Sequence, residues 1–308
     1  MNFVNSVPTQ ILIAGPTAIG KSEIALLLAE KIGGEIVSVD SMQVYRGLVL
    51  GTAKPAAADR ARVPHHLVDI LDLADSFDAA QFARRAHQAV AEIQARGRVP
   101  VLCGGTGLYF QAFLDGLGEA PPADAKLRAE LESTALAKLV EELRERDPVA
   151  YGKIDRQNPR RVIRAVEVIR LTGKPFSKFQ VPSTKFQGAQ PVFFCMTRAT
   201  DDLRRRIDAR VDAMFARGLV EETRELLKRG LAQNKTAMQA IGYRQVVEHL
   251  RGERSLPETV ELVKTRTRQF AKRQLTWFRA RTNVEWIELG PDETTEGAVA
   301  LLRRRLPA

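Results

Sequence analysis

The stretch Gly15-Pro16-Thr17-Ala18-Ile19-Gly20-Lys21-Ser22 carries the plainest chemistry in this 308-residue chain. Glycine, four residues, glycine, lysine and serine is the spacing of a phosphate-binding loop. Glycines let backbone N–H groups turn inward around an anion. Lys21 adds a point charge, and Ser22 offers a hydroxyl to Mg²⁺. Average composition would give these four fixed positions in on the order of one chain in a hundred of this length. The apolar run "QILIA" before the loop and the helical pattern "KSEIALLLAEKIG" after it remove most of that risk.

Three further features suit an anion or a proton. In "GGTGLYF", Gly104 to Phe110, glycines allow close approach, and a helix expected to begin near Thr106 aims its N-terminus at a phosphate. In "RRRIDARVDAM", Arg206 and Arg210 share a helix face, and a nearby anion would relieve their repulsion. Arg204 and Arg205 read as a solvated face. Asp40 in "SVDSMQVY" offers a carboxylate that holds a metal or accepts a proton, and an ordinary turn cap is the competing reading.

These residues need strands to position them. "QILIAG", "EIVSVD" and "VPVLCGG" are short apolar runs separated by helical patterns, which implies a parallel sheet with helical crossovers. Ligands on such sheets sit at the carboxyl ends of strands, where the loop, Asp40 and Thr106 all fall. Gly116, Gly118, Pro121 and Pro122 break the pattern. A mostly helical, charged segment follows, with looser stretches around "FSKFQVPSTKFQGAQ". "PVFFCMT" then reads as a return to the sheet, and "VEWIEL" as a last strand. The fold class is α/β: a P-loop NTPase-like parallel sheet core from residues 1–116 and 191–308, a helical insertion over 117–190, and a helical C-terminal part.

Charge is uneven. The formal net charge is +10, yet residues 1–120 hold 10 Lys/Arg against 12 Asp/Glu, and the remainder holds 37 against 25. A polyanion on the later part would explain this. "KTRTRQFAKRQLTWFRAR", Lys264 to Arg281, has seven basic residues, no acid, and Phe270, Trp277 and Phe278 interleaved, a composition suited to RNA. In "QNPRRVIRAVEVIRLTGK", Val162, Ile163, Val166 and Ile169 face a core, and Arg160, Arg161 and Arg164 are free to meet an anion. "QAIGYRQ" is a turn-like element of unclear role. His65 and His66 in "VPHHLVD" are functional candidates, with satisfied loop or core histidines the commoner reading.

Cys103 and Cys195 stand far apart, which argues against a disulfide framework and for small buried apolar residues. No run of about 18 uncharged apolar residues is present, so a membrane span is not expected. No basic start with a long apolar region opens the chain, and a cytoplasmic location is expected.

Together the motifs resemble the bacterial tRNA dimethylallyltransferase family, also called tRNA isopentenyltransferases. The matches are "GPTAIGKS", "VSVDSMQVYRGL", "GTAKP", "PHHLVDI", "GGTGLYF", "DRQNPRRVIRAVEV", "MQAIGYRQ" and "AKRQLTWFR", in order over almost the whole chain. The resemblance implies transfer of a dimethylallyl group from dimethylallyl diphosphate to N6 of the adenosine 3′ of the anticodon, with Mg²⁺. It implies a helical insertion that grips the tRNA anticodon stem-loop. Asp40 matches the family's general base. Gly15 to Ser22 match the diphosphate loop, with Ser22 a metal ligand. Thr106 matches a residue at the reacting centre, and Arg210 an arginine for the donor. Stretches implied to contact tRNA are Asp40, Ser41, Met42 and Gln43; Gln157, Asn158, Pro159, Arg160 and Arg161; and Gln239, Ala240, Ile241, Gly242, Tyr243 and Arg244. Lys272, Arg273, Gln274, Leu275, Thr276, Trp277, Phe278 and Arg279 form another, and Arg128 matches a single tRNA-contacting arginine. A monomer is expected.

Two rivals share the loop. A nucleoside or small-molecule kinase would bind ATP there but would not need the basic later part. An RNA-binding GTPase would carry an N-K-x-D guanine motif, which this sequence lacks.

Overall fold

Four-residue to six-residue apolar runs too short for helices fold as strands buried on both faces. The computed structural model describes residues 10–179, 191–281 and 283–307. The chain divides into two compact units, the smaller spanning residues 114–185.

In the larger unit, strands β1 (Ile11–Ala14), β2 (Gly34–Val39), β3 (His65–His66), β4 (Val99–Gly104), β5 (Val192–Thr197) and β6 (Glu285–Glu288) form one sheet. The order is β3-β2-β4-β1-β5-β6, and every pairing is parallel. The two-residue β3 was not expected, because it is too short to show a period. His66 Nε2 lies 2.7 Å from Glu35 Oε2, and His65 Nδ1 lies 2.8 Å from Val63 O, so both histidines are satisfied in place.

Helix α1 (Lys21–Ile32) follows the loop and ends at Gly33, whose φ of 64° suits glycine. Helices α2 (Ala57–Arg62), α3 (Ala79–Ala95) and α4 (Gly107–Asp115) complete the first half. In the smaller unit lie α5 (Ala125–Ser133), α6 (Leu136–Arg146), α7 (Pro148–Lys153) and α8 (Pro159–Thr172). The remainder adds α9 (Thr200–Ala216), α10 (Leu219–Lys228), α11 (Tyr243–Leu250), α12 (Leu256–Arg279) and α13 (Thr295–Arg305). Among the described residues no helix is long and apolar enough to cross a membrane.

One face of the sheet packs Ile11, Ile13, Val101 and Phe194 against Ile24 and Leu28 of α1 and Val299 and Leu302 of α13. On the other face Phe193 of β5 meets Phe110 of α4 and Phe278 of α12, with ring centroids 5.1 and 6.3 Å apart. The 24-residue α12 starts at a capping box, Ser255 with Glu258.

The smaller unit has its own core of Leu131, Leu139, Leu143, Val162, Val166 and Ile169. Glu167 is fully buried there. It accepts from Arg128 Nη2, from Arg164 Nη1 at 2.7 Å and from the Asp124 N–H at 3.2 Å. Arg164 also donates to Pro121 O at 2.6 Å, so it is not free to meet an anion as the sequence suggested. The i, i+3 spacing of Arg164 and Glu167 places them on one helix face and pairs them. The looser stretch read before "PVFFCMT" lies partly outside the described residues.

Removing the Glu167 carboxylate strands two guanidinium groups. Glu167→Ala is expected to destabilise the protein by about 2 kcal/mol, less than for a fully buried pair because both arginines reach solvent. Thermal unfolding checks this, with Glu167→Gln falling between the variant and the parent chain.

Candidate functional site

The site is built where β1, β2 and β4 end. After β1 the chain turns through Gly15 at φ 152°, Ala18 at φ 64° and Gly20 at φ 99° before α1 begins. The left-handed Ala18 reverses the backbone within the loop, the local geometry that turns successive N–H groups toward one point. Its methyl packs against a small cluster of Leu203, Ile207 and Ala271 from α9 and α12, which offsets the strain of that conformation. Lys21 Nζ donates to Pro16 O at 3.1 Å across the loop. Arg198 Nε donates to Ile19 O at 3.3 Å from the far side, anchoring the loop to the segment after β5.

The ends of β2 and β4 touch through their backbones. A Cβ on Gly104 would lie 2.1 Å from Val39 O, so only glycine permits the approach. Thr106 N–H then donates to Val39 O at 3.3 Å, which sets Thr106 beside Asp40. Asp40 Oδ1 accepts from the N–H groups of Met42 at 2.8 Å and Gln43 at 3.2 Å, so one oxygen caps the turn. Oδ2 makes no hydrogen bond among the described residues. Gln43 is tied down in turn, accepting from Ser38 Oγ at 2.8 Å and donating to Thr52 O at 3.2 Å.

A cavity of about 790 Å³ opens along the loop, lined by Gly20, Lys21, Ser22, Arg210, Met214 and the 49–55 loop, among others. Lys54, Arg62 and Arg206 also line it, but each has an acidic partner: Asp69, Glu30 and Asp202 respectively. Arg206 is therefore not the anion-seeking partner of Arg210 that the helix spacing suggested. Arg210 makes no hydrogen bond and no ion pair among the described residues. Burial pulls its guanidinium down from the usual arginine range, and the Asp40 charge pulls it back. Lys21 is lowered the same way by burial; Cys103 and Asp40 oppose this, and Arg210 adds to it. Two cations so placed destabilise each other until an anion arrives. Thr17, Asp40 and Thr106 are not among the residues lining this cavity, although Asp40 is close enough for its charge to act on both cations.

Behind the loop, the thiol of buried Cys103 donates weakly to Lys21 O at 3.6 Å. Burial pushes that thiol up to about 11 and the Cys195 thiol up to about 12. Both are inert apolar fillers, as their sequence positions suggested.

The residues implied to touch tRNA fall into two sets. Ser41, Met42, Arg160, Arg161, Gln239, Arg244, Lys272, Arg273, Thr276 and Arg279 are at least partly exposed. Ala240, Gly242, Tyr243, Gln274 and Phe278 are buried, so their side chains do not present themselves to RNA. They hold the site together instead. Tyr243 Oη donates to Glu222 and accepts from the Gly51 N–H at 3.1 Å, while Glu222 accepts from the N–H groups of Val49 at 3.1 Å and Leu50 at 3.0 Å. This fixes the 49–51 wall of the cavity and gives "QAIGYRQ" its role. Trp277 packs flat over Gly107, where a Cβ would fall 2.2 Å from the indole, and Arg281 covers its ring at 4.6 Å. Arg128 is committed to Glu167. Sequence reasoning missed Glu222, Arg198, the buried, structural role of Tyr243 and the buried position of Gln274. For Gln274 a signal existed: Ala271, Gln274 and Phe278 follow one helical stripe.

With this geometry in place, the IPP transferase family model matches residues 43–281. The tRNA dimethylallyltransferase of Halorhodospira halophila is 49% identical over 298 residues, 94% of this chain and 95% of its own length. That of Geobacter metallireducens is 47% identical over 286 residues, 90% and 92%. The solved full-length tRNA isopentenylpyrophosphate transferase from Bacillus halodurans matches with a TM-score of 0.70 at 39% identity, covering 96% of this chain and 95% of its own. A eukaryotic dimethylallyltransferase, solved acting on tRNA, matches with a TM-score of 0.80 at 29% identity, covering 96% of this chain and 79% of its own.

Tyr243→Phe takes the acceptor from the Gly51 N–H and a donor from Glu222. It is expected to lower stability by about 1–2 kcal/mol. Urea unfolding reads the change, and an unmoved midpoint would show that the 49–51 wall does not depend on this hydroxyl.

Proposed function

This chain belongs to the IPP transferase family, and we propose that it transfers the dimethylallyl group of dimethylallyl diphosphate to N6 of the adenosine 3′ of the anticodon in tRNA. The observation that carries the donor assignment is Arg210: an unpaired guanidinium on the same cavity as Lys21, Ser22 and the loop. A diphosphate at the loop would be met by inward N–H groups and by both cations.

The reaction needs charge placed where it develops. As the allylic C1–O bond breaks, negative charge gathers on the departing diphosphate, and Lys21 with Arg210 would stabilise it electrostatically. The N6 lone pair forms the new bond to C1, and the N6 proton passes to a base. Asp40 is suited to that task, since Oδ1 is occupied by the turn and Oδ2 is open. Thr106, held beside Asp40, would help place the reacting centre. The adenine leaves its stack to enter, at a cost of a few kcal/mol. Exposed Lys272, Arg273 and Arg279 on α12, together with Arg160 and Arg161, would meet tRNA phosphates.

Mg²⁺ fits in a limited way. Among the described residues no group of three or more His, Cys, Asp or Glu side chains could hold a metal, and the exposed Ser22 lines the cavity. Ser22 would supply one hydroxyl and the diphosphate oxygens most of the rest, and the ion would neutralise leaving-group charge.

Incubation of the purified protein with tRNA and dimethylallyl diphosphate, read by mass spectrometry of the nucleosides, tests the activity. Phosphoryl transfer from ATP without prenylated adenosine would overturn it. Asp40→Asn keeps the turn-capping oxygen and removes the base. Single-turnover rates are expected to fall by about 10²–10⁴-fold with tRNA affinity within about twofold.

A further inference from the structure

The amide of Gln274 reaches two distant segments at once. The Thr17 N–H donates to Gln274 Oε1 at 2.9 Å, and Gln274 Nε2 donates to Gly105 O at 2.9 Å. The side chain is buried, at 6% exposure, so losing either bond would leave a buried polar group without a protein partner. Gly105 is carved to receive it: a Cβ there would stand 2.1 Å from Gln274 Nε2 and 3.2 Å from Gly15 O. The contact has a cost for the loop, because the Thr17 N–H faces the glutamine and leaves anion binding to the amides that follow. A loop amide diverted from phosphate, opposite a turn cut back to glycine, marks a joint.

The two segments joined are the ones the reaction must hold in register. Thr17 belongs to the loop that meets the leaving diphosphate. Gly105 precedes Thr106, which is hydrogen-bonded to the end of β2 beside Asp40. We infer that Gln274 is a positioning residue that fixes the spacing between the diphosphate loop and the Asp40–Thr106 pair. This inference rests on the proposed reaction. Its place on α12, between exposed Arg273 and the half-buried Trp277 three residues on, puts the joint directly under the face assigned to RNA.

A glutamate at this position is a titratable copy of the amide. Protonated, it accepts from Thr17 and donates to Gly105 O. Ionised, it sets a second acceptor against the Gly105 carbonyl and breaks the joint. For Gln274→Glu, kcat relative to the parent protein is expected to rise as pH falls from about 8 to about 5.5. The parent enzyme is measured at each pH, so the pH dependence common to both proteins, including that of the charged neighbours Asp40, Lys21 and Arg210, is divided out. Gln274→Leu is expected to lose kcat by on the order of 100-fold, the effect of an ångström-scale misplacement. Its KM for tRNA should stay within about twofold. A pH-independent ratio for Gln274→Glu overturns the inference. So does a Gln274→Leu protein that keeps kcat and instead loses tRNA affinity tenfold, which would make Gln274 an RNA contact. Inorganic pyrophosphate binding separates this inference from the proposed reaction. Even if the parent protein prenylates no tRNA, Gln274→Leu should bind pyrophosphate about tenfold more weakly, and equal affinity overturns the joint.

Discussion

Everything at this site depends on two strand ends whose backbones touch. Val39 and Gly104 are register partners in β2 and β4, and the missing side chain at Gly104 lets the chains close to contact. Without that approach Thr106 would not reach Val39 O, and the residue after β2, Asp40, would not stand beside it. The parallel sheet explains why this contact matters, because all its strands end on one side and deliver their following residues to one place. The loop after β1, the central partner of β4, then lies next to the same point.

The electrostatic design complements that steric one. Three of the six Lys and Arg residues that line the cavity are neutralised by an acid: Lys54 by Asp69, Arg62 by Glu30, Arg206 by Asp202. Lys21 and Arg210 are left without a salt bridge and lowered by burial; Asp40 steadies both, and Cys103 also steadies Lys21. Burial together with the lack of an acidic partner, not charge count, sets Lys21 and Arg210 apart from the other cations. An anion entering the cavity would gain the interaction that the protein withholds from its own carboxylates.

Much of the scaffold was legible in the sequence because it depends on local period and on turn residues. The loop, the parallel strands, the glycine-proline break before residue 123 and the last strand at "VEWIEL" all announce themselves within a few residues. What was hidden depends on partners far away in the chain. Arg164 looked free until Glu167 and Pro121 O were seen to hold it. Gln274 sits among basic residues and reads as surface, although Ala271 and Phe278 put it on the buried stripe. Tyr243 required Gly51, nearly two hundred residues away, to explain it. The two-residue β3 carries no period at all.

The two cysteines carry a last consequence, in the currency of redox chemistry. Cys103 lies directly beneath Lys21 of the loop after β1, a position where a thiolate would ordinarily be stabilised by the cation. Burial wins there, holding the thiol near 11, and Cys195 higher still. Sulfenic acid formation needs a thiolate and access, and neither sulfur offers them at neutral pH. The base of the loop is thus insulated from peroxide and from disulfide exchange, so an oxidative burst that silences cysteine-dependent enzymes would leave these two sulfurs unchanged.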